Sequence, residues 1–434
     1  MRFSLDVLRA RKGDCLMVHF GTKDQPGLIM IDGGPSMVYG PFLKPRLEQI
    51  RKARQLGDNV QCPVDLLMVS HVDDDHIQGI LDLTKDMISH MPQKRPYMRV
   101  FSFWHNSFEN IIGTTPKELT AAFKNHFGPA SMGGAPPDLT LDTSNGDLDE
   151  ETVVSSLKVL ASIEQGAQLR SDVEKLNFPL NAEFGGKLIL AKKGGDPKQI
   201  GAGPGLTFNV LGPSVPDLQA LHKKHQEWLR DLQKAGKTPE EALSAYVDKS
   251  VPNLSSIVVL AEAGGKRMLL TGDARGDKIL AGLELTGTIK KNGTIEVDIL
   301  KVPHHGSSNN LALDFFQRIK ARHYVFSGNG EHGNPERETM EMLLNARGDG
   351  TYKIHLTYPV KDIDAGRKAD WKKEQGKEKT KKKKNPKVKV RPNWSDATNS
   401  LTAFFAKNPN FAAKLSIVEP NKPHLIDLLD PCNF

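Results

Sequence analysis

Apolar positions in this chain fall mostly in short runs that stop at glycine, aspartate or histidine. Phe3-Ser4-Leu5-Asp6-Val7-Leu8 alternates apolar with polar, the period of a half-buried strand. Cys15 to Phe20 reads as a second strand, linked to the first by the turn residues Arg11-Lys12-Gly13-Asp14. Gly27 to Ile31 is a third, and it ends in Asp32-Gly33-Gly34, where glycine permits a sharp exit or a close approach. Val64 to Val69 reads as a buried strand. Met98 to Trp104, Leu206 to Leu211, Ile295 to Val302, His323 to Phe326 and Tyr352 to Thr357 follow the same pattern. Ser255–Leu260 and Lys266–Leu270 predict a hairpin across Ala263-Gly264-Gly265. Helical patterns lie between them: Pro45 to Gln55, Gln78 to Met87, 115–127, 150–176, two charged helices in 216–248, and Glu336 to Ala346.

Strands and helices thus alternate, which predicts an α/β protein. The motif-bearing part is 1–360. Within it 107–205 reads as an insertion of lid type, because Gly128 to Asp149 is a loose Gly/Pro/Asp stretch between helical patterns. The segment 361–392 reads as charged, low-complexity and mobile. Apolar residues return in 393–434, which is expected to pack on the domain.

Composition changes this picture in one place. Hydrophobic residues are 38% of 434, ordinary for a globular protein once glycine is added. The formal charge of +7 is local: Arg367 to Arg391 holds thirteen Lys or Arg against Asp370, Glu374 and Glu378. That excess of +10 leaves the rest of the chain slightly acidic. Within that segment Lys372–Arg391 is the kind of run that contacts phosphate backbones without sequence choice, and Trp371 and Trp394 flank that run as stacking candidates. The alternative is a solubilising tail. The three cysteines, Cys15, Cys62 and Cys432, have no disulfide or zinc spacing. The N-terminus lacks a signal-peptide pattern and no apolar run is long enough to span a membrane, so a cytoplasmic location with no membrane partner is expected.

The chemistry concentrates at Ser70-His71-Val72-Asp73-Asp74-Asp75-His76-Ile77-Gln78-Gly79, which leaves the 64–69 strand. Clustered carboxylates repel and are costly to bury, and a divalent cation removes that cost. His and Asp are ligands such cations accept. A solvated acidic turn is the alternative. Two further strands end in loops of the same kind, Thr271-Gly272-Asp273 and Pro303-His304-His305-Gly306-Ser307. Loops at one end of a set of strands converge on a rigid scaffold.

Together these residues resemble the metallo-β-lactamase superfamily. His71-x-Asp73-x-Asp75-His76 resembles its His-x-His-x-Asp-His signature, with Asp73 in place of the second histidine. Gly13-Asp14, Thr271-Gly272-Asp273 and Lys301-x-Pro-His-His-Gly-Ser307 most resemble the metallo-hydrolase domain of ComEC-type competence proteins, without their membrane channel. The resemblance implies an αβ/βα four-layer sandwich with two mixed β-sheets. It implies two divalent ions: His71 and Asp73 on one, Asp75, His76 and a late histidine on the other, and Asp273 between them. His305 matches the late ligand better, with His304 the alternative. His105 is the candidate for the family's middle histidine; a loop residue capping a strand is the other reading. Asp73 tilts the site toward manganese or magnesium and leaves zinc open.

Two such ions lower the pKa of a shared water and polarise a phosphoryl or carbonyl oxygen. The resemblance therefore implies a hydrolase, with phosphodiesterase or nuclease action on DNA, RNA or a nucleotide favoured. The alternatives are an esterase, lactonase or thioesterase on the same site, and a non-catalytic binding protein. Asp75 and His76 are the catalytic centre of this reading, with Lys301 stabilising charge on the substrate. His105, Asn106, Ser307, His332 and Asn334 are candidate substrate contacts, on loops expected to face the cleft.

Overall fold

The computed structural model describes residues 1–91, 98–107, 165–201, 205–220, 223, 255–420 and 422–432. The expected helices at 115–127 and most of those in 150–176 and 216–248 lie outside the described residues; 165–175 and 215–220 are helical.

The chain is mixed α/β with mixed sheets. Its strands are β1 (Arg2–Val7), β2 (Leu16–Gly21), β3 (Pro26–Ile31), β4 (Cys62–Val64), β5 (Leu66–Val69), β6 (Met98–Val100), β7 (Phe103–His105) and β8 (Lys198–Gln199). They continue as β9 (Thr207–Gly212), β10 (Val258–Ala263), β11 (Lys266–Leu270), β12 (Ile295–Lys301), β13 (Ile319–Phe326), β14 (Lys353–Leu356), β15 (Leu415–Ile417) and β16 (Leu425–Asp427). One sheet has the order β16-β1-β2-β3-β5-β7, the other β15-β14-β13-β12-β11-β10-β9-β8, and β4 pairs with β6 alone.

Period-two alternation sorts the side chains. Leu5, Val18, Ile29, Ile31 and Met68 from the first sheet share one buried cluster with Val210, Val259, Leu270, Ile299 and Val325 from the second. Their neighbours point the other way. Met17, Met30, Leu67 and Val69 pack against Leu47 and Ile50 of α1 (Lys44–Ala53) and Ile77, Ile80 and Leu83 of α2 (Asp74–Ser89). Leu260, Leu269, Leu300 and Phe326 pack against Ile279 and Leu283 of α3 (Gly276–Leu285) and Met340 and Leu343 of α4 (Arg337–Arg347). Each fully buried Leu or Ile contributes about 1.5–3 kcal/mol.

Several expectations change. α2 begins at Asp74, inside the motif. Asp74 and Asp75 fill its first turn, where the helix dipole favours carboxylates. The single strand expected over 98–104 is two strands, broken at Phe101-Ser102, because β6 pairs with β4 and β7 with β5. The described part of the expected lid is built into the core: Leu169 and Val173 join the α2 cluster, and Asp172 accepts from Thr84. The segment expected to be mobile is mostly a helix, α5 (Val360–Lys384). Its first turns press on the 329–330 loop, where a Cβ on Gly330 would lie 2.1 Å from the Ile363 carbonyl oxygen. The chain then folds back along it: Trp371 donates to the Pro392 carbonyl and Glu378 accepts from Arg391. In the tail β15 joins one sheet and β16 the other. No helix among the described residues is long and apolar enough to cross a membrane.

Candidate metal centre

β3, β5 and β7 run parallel, as do β11, β12 and β13, so the loops after them leave each sheet at one edge. These loops carry Asp32, His71 to His76, Asp273, His304-His305 and Ser327. Asp14 joins from the β1–β2 link. Gly13 makes that possible, since a Cβ there would lie 1.8 Å from the Asp75 carbonyl oxygen.

Ligand atoms of Asp75, His76, Asp273 and His305 all lie within 4.8 Å of one another. His76 Nε2 is 3.3 Å and His305 Nε2 3.5 Å from Asp273 Oδ1, and His305 Nε2 is 3.6 Å from Asp75 Oδ2. The other carboxylate oxygen of Asp273 faces a second group. His71 Nε2 lies 3.9 Å and His304 Nε2 3.8 Å from Asp273 Oδ2, and His71 Nε2 is 3.5 Å from Asp73 Oδ2.

The Nε2 atoms of His71, His76 and His305, and Asp273 Oδ1, are buried without a hydrogen-bond partner. Such atoms are expensive unless something fills the space between them. The opposite ring nitrogens are all engaged. His76 Nδ1 is 2.8 Å from Asp32 Oδ2, His71 Nδ1 is 3.1 Å from Ser70 Oγ, and His305 Nδ1 is 2.9 Å from Ser327 Oγ. That leaves each Nε2 available, the arrangement of imidazoles that bind a cation. The donor set of imidazole nitrogens and carboxylates fits a divalent metal ion.

Charge tells the same story. Burial alone pushes the His305 imidazole down, but Asp273 and Asp14 outweigh it and its pKa is raised to about 10. Burial opposes His76 likewise, and Asp273 and Asp32 raise it well above the usual value. Burial would raise the Asp75 and Asp273 carboxyls, yet the histidines hold both below the usual range. In the metal-free protein, protons on His76 and His305 therefore offset the carboxylates. Metal binding must displace them. Calorimetric titration of Mn2+ is expected to show affinity rising from pH 6 to pH 8, with proton release seen as a buffer-dependent heat. Below their raised pKa values both imidazoles hold protons that a cation must displace, and each step of pH toward those values lowers the cost of displacing them. Affinity flat across this window would contradict the assignment.

His304 and His305 both have positive φ, 49° and 54°. This costly turn for non-glycine residues aims both side chains at Asp273. His105, held by Asn181 through two backbone hydrogen bonds, is buried beside the start of the motif. Burial, with His71 nearby, lowers its pKa to about 4, and its nitrogens are not among those that converge. Lys301 is 1% exposed; it is neither a surface lysine nor open to a substrate. Its ammonium meets Asp14 and donates to the Gly272 carbonyl, behind Asp273. Asn106 spends both ends of its amide on the Ile189 backbone. Ser307 donates to Glu336, and Asn334 donates to the His304 carbonyl, so both brace the histidine loop. His332 is exposed on the Glu331–Gly333 turn. A separate hollow of about 110 Å³, lined by Asp6, Arg9, Arg46 and His424, shares no residue with the cluster.

Sequence reasoning assigned no role to Asp14, Asp32, Ser70 or Ser327. The signals for Asp14 and Asp32 are the Gly13-Asp14 turn and the Asp32-Gly33-Gly34 strand end, and positive φ at Asp32 (58°) marks the turn that aims it at His76. Ser327 had only the signal of opening a Gly-rich loop after a strand.

No protein-family model matches the chain. It is 28% identical over 135 residues to microtubule-associated protein 1A of Homo sapiens, covering 30% of this chain and 5% of that protein. It is 43% identical over 58 residues to microtubule-associated protein futsch of Drosophila melanogaster, 13% of this chain and 1% of that protein. ComE operon protein 3 of Bacillus subtilis is 29% identical over 155 residues, 31% of this chain and 19% of that protein. The chain spans less than a fifth of the length of each.

Proposed function

We propose that this chain is a metal-dependent hydrolase of the metallo-β-lactamase type, acting as a phosphodiesterase or nuclease. The observation that carries the reading is the convergence of Asp75, His76, Asp273 and His305, with unpartnered Nε2 atoms facing one another across Asp273. The partial likeness to ComE operon protein 3 and the layering of two sheets between helices support the αβ/βα sandwich. Charge supports two ions over one. Asp14, Asp32, Asp73, Asp75 and Asp273 against Lys301 leave four negative charges with neutral histidines, the charge of two divalent cations. Bound there, such ions would lower the pKa of water and polarise a phosphoryl oxygen. Asp75, His76, His305 and Asp273 would hold one, and His71, Asp73 and His304 with the second oxygen of Asp273 the other. The oxygen-rich donor set favours manganese or magnesium, with zinc the competitor.

A polyanionic substrate is supported by α5 and its return segment, where Lys372, Lys373, Lys382, Lys383, Lys387 and Lys389 are exposed. The tryptophans do not offer open stacking faces. Arg391 lies 5.1 Å over Trp371, Arg367 lies 5.5 Å over Trp394, and the two rings meet edge to face. Affinity would then come from phosphate contacts alone. Changing Lys382, Lys383, Lys387 and Lys389 to glutamine is expected to flatten the salt dependence of single-stranded DNA binding by about 3 in log–log slope. Hydrolysis of a small chromogenic phosphodiester should not change. Equal loss on both substrates would remove the polymer reading.

The likeness to proteins named for microtubule association keeps a second reading open to test, a binding protein retaining the fold. A hydrolysis panel of DNA, RNA, cyclic nucleotides and simple esters, swept over Mn2+, Mg2+ and Zn2+, separates them. The enzyme reading requires turnover that Asp75→Ala abolishes. No turnover with any ion favours the binding protein, and turnover of esters alone favours an esterase.

A further inference from the structure

Asp14, Ser327 and Lys301 form a buried network that the chemistry above does not use directly. All three, with His305, are 2% exposed or less. The Ser327 hydroxyl donates to Asp14 Oδ1. With its proton spent there, Ser327 Oγ presents lone pairs to His305 Nδ1, which lies 2.9 Å away. His305 Nδ1 is also 3.4 Å from Asp14 Oδ1. The nitrogen must therefore carry the proton and donate it, which leaves Nε2 as the atom facing Asp75 and Asp273.

The second oxygen of Asp14 pairs with the Lys301 ammonium. That ammonium also donates to the Gly272 carbonyl at 3.1 Å and sits 3.8 Å from Asp273 Oδ1. Asp14 is thus a hub between His305 and the backbone that carries Asp273. His76 is held chiefly by Asp32, which reaches its Nδ1 at 2.8 Å, with Asp14 Oδ2 farther off at 3.9 Å. His305 stands on a strained turn (φ 54°), where a side chain left unheld would relax.

We propose that Asp14, Ser327 and Lys301 are positioning residues: the Asp14–Ser327 relay sets His305 with its proton on Nδ1 and its Nε2 toward the cation, and Lys301 ties that setting to Asp273. The inference rests on the metal-hydrolase reading. It assigns Lys301 to orientation of ligands rather than to contact with substrate.

The test uses the full chain as wild type, Ser327→Ala, Ser327→Thr and Asp14→Asn. Mn2+ and Zn2+ are titrated calorimetrically, the metal-free proteins are melted, and imidazole 15N shifts of the Zn2+-saturated proteins, whose ring keeps one proton, report whether that proton is on His305 Nδ1. Ser327→Ala is expected to fold, to bind either ion about 10–100-fold more weakly, and to move the His305 Nδ1 resonance. Ser327→Thr, which keeps the hydroxyl, is expected to restore both. Asp14→Asn should weaken binding at least as much. If wild type binds and both Ser327→Ala and Asp14→Asn bind with its affinity, the relay is only structural and the proposal is overturned, whatever the melting temperatures. Wild-type protein that binds neither ion overturns the metal reading and the relay with it.

Discussion

Replacing Asp273 with asparagine is expected to abolish hydrolysis and divalent-ion binding together. The side chain keeps its shape but loses the charge that both groups of ligands face. Asp273 Oδ1 stands 3.3 Å from His76 Nε2 and 3.5 Å from His305 Nε2, while Oδ2 stands 3.8 Å from His304 Nε2 and 3.9 Å from His71 Nε2. Metal-assisted stabilisation is worth several kcal/mol, so a loss of about a thousandfold or more in kcat/KM is expected. The metal-free protein should weaken as well, by about 3 kcal/mol, because His76, His305 and Lys301 lose a buried counter-charge. Metal content by mass spectrometry, turnover of a chromogenic phosphodiester and urea unfolding measure the three effects. Full activity with two bound ions would refute the bridging role.

Gly79→Ala is expected to cost about 3 kcal/mol of stability and to dismantle the site. Alanine in a helix interior ordinarily gains about 1 kcal/mol over glycine, so propensity alone points the other way. Packing decides the sign. A Cβ on Gly79 would lie 1.9 Å from the Gly33 carbonyl oxygen, which is backbone and cannot swing aside. The contact is held on both sides: Gly79 N–H donates to the Gly34 carbonyl and Gly33 N–H to the His76 carbonyl. Relief would require α2 to shift at the turn that carries Asp75 and His76. Unfolding in urea and Mn2+ titration together check this, and a variant as stable as wild type would show that the loop yields.

Much of the fold was legible because buried strands have a period of two and stop at turn residues. The strands at Gly27 to Ile31, Val64 to Val69, Lys266 to Leu270 and Ile295 to Val302 lie within a residue or two of β3, β5, β11 and β12, with Val64 itself the last residue of β4. The errors fall where partners rather than pattern decide. Met98 to Trp104 looked like one strand, and its halves bond to different neighbours. The lysine-rich segment lacked an apolar stripe, so composition predicted disorder. Its helix is tied at one end by Arg367 to the Gly333 and Asn399 carbonyls and along its length by the Trp371–Arg391 pairing. These are long-range contacts that local composition does not encode.

The sequence by itself determined which residue types stand after which strands: His71 to His76, Asp273, and His304-His305, each a plausible ligand set because carboxylates and imidazoles accept divalent cations. Tertiary structure alone decided how they are used. It put His305 with Asp75 and Asp273 and turned His304 toward the other oxygen of Asp273. It buried Lys301 against Asp14 and made Asn106 and Ser307 parts of the scaffold. The reason is geometric. A ligand's role depends on where its donor atom points and on what satisfies its remaining polar atoms. Both are set by parallel strands from distant parts of the chain ending at one edge.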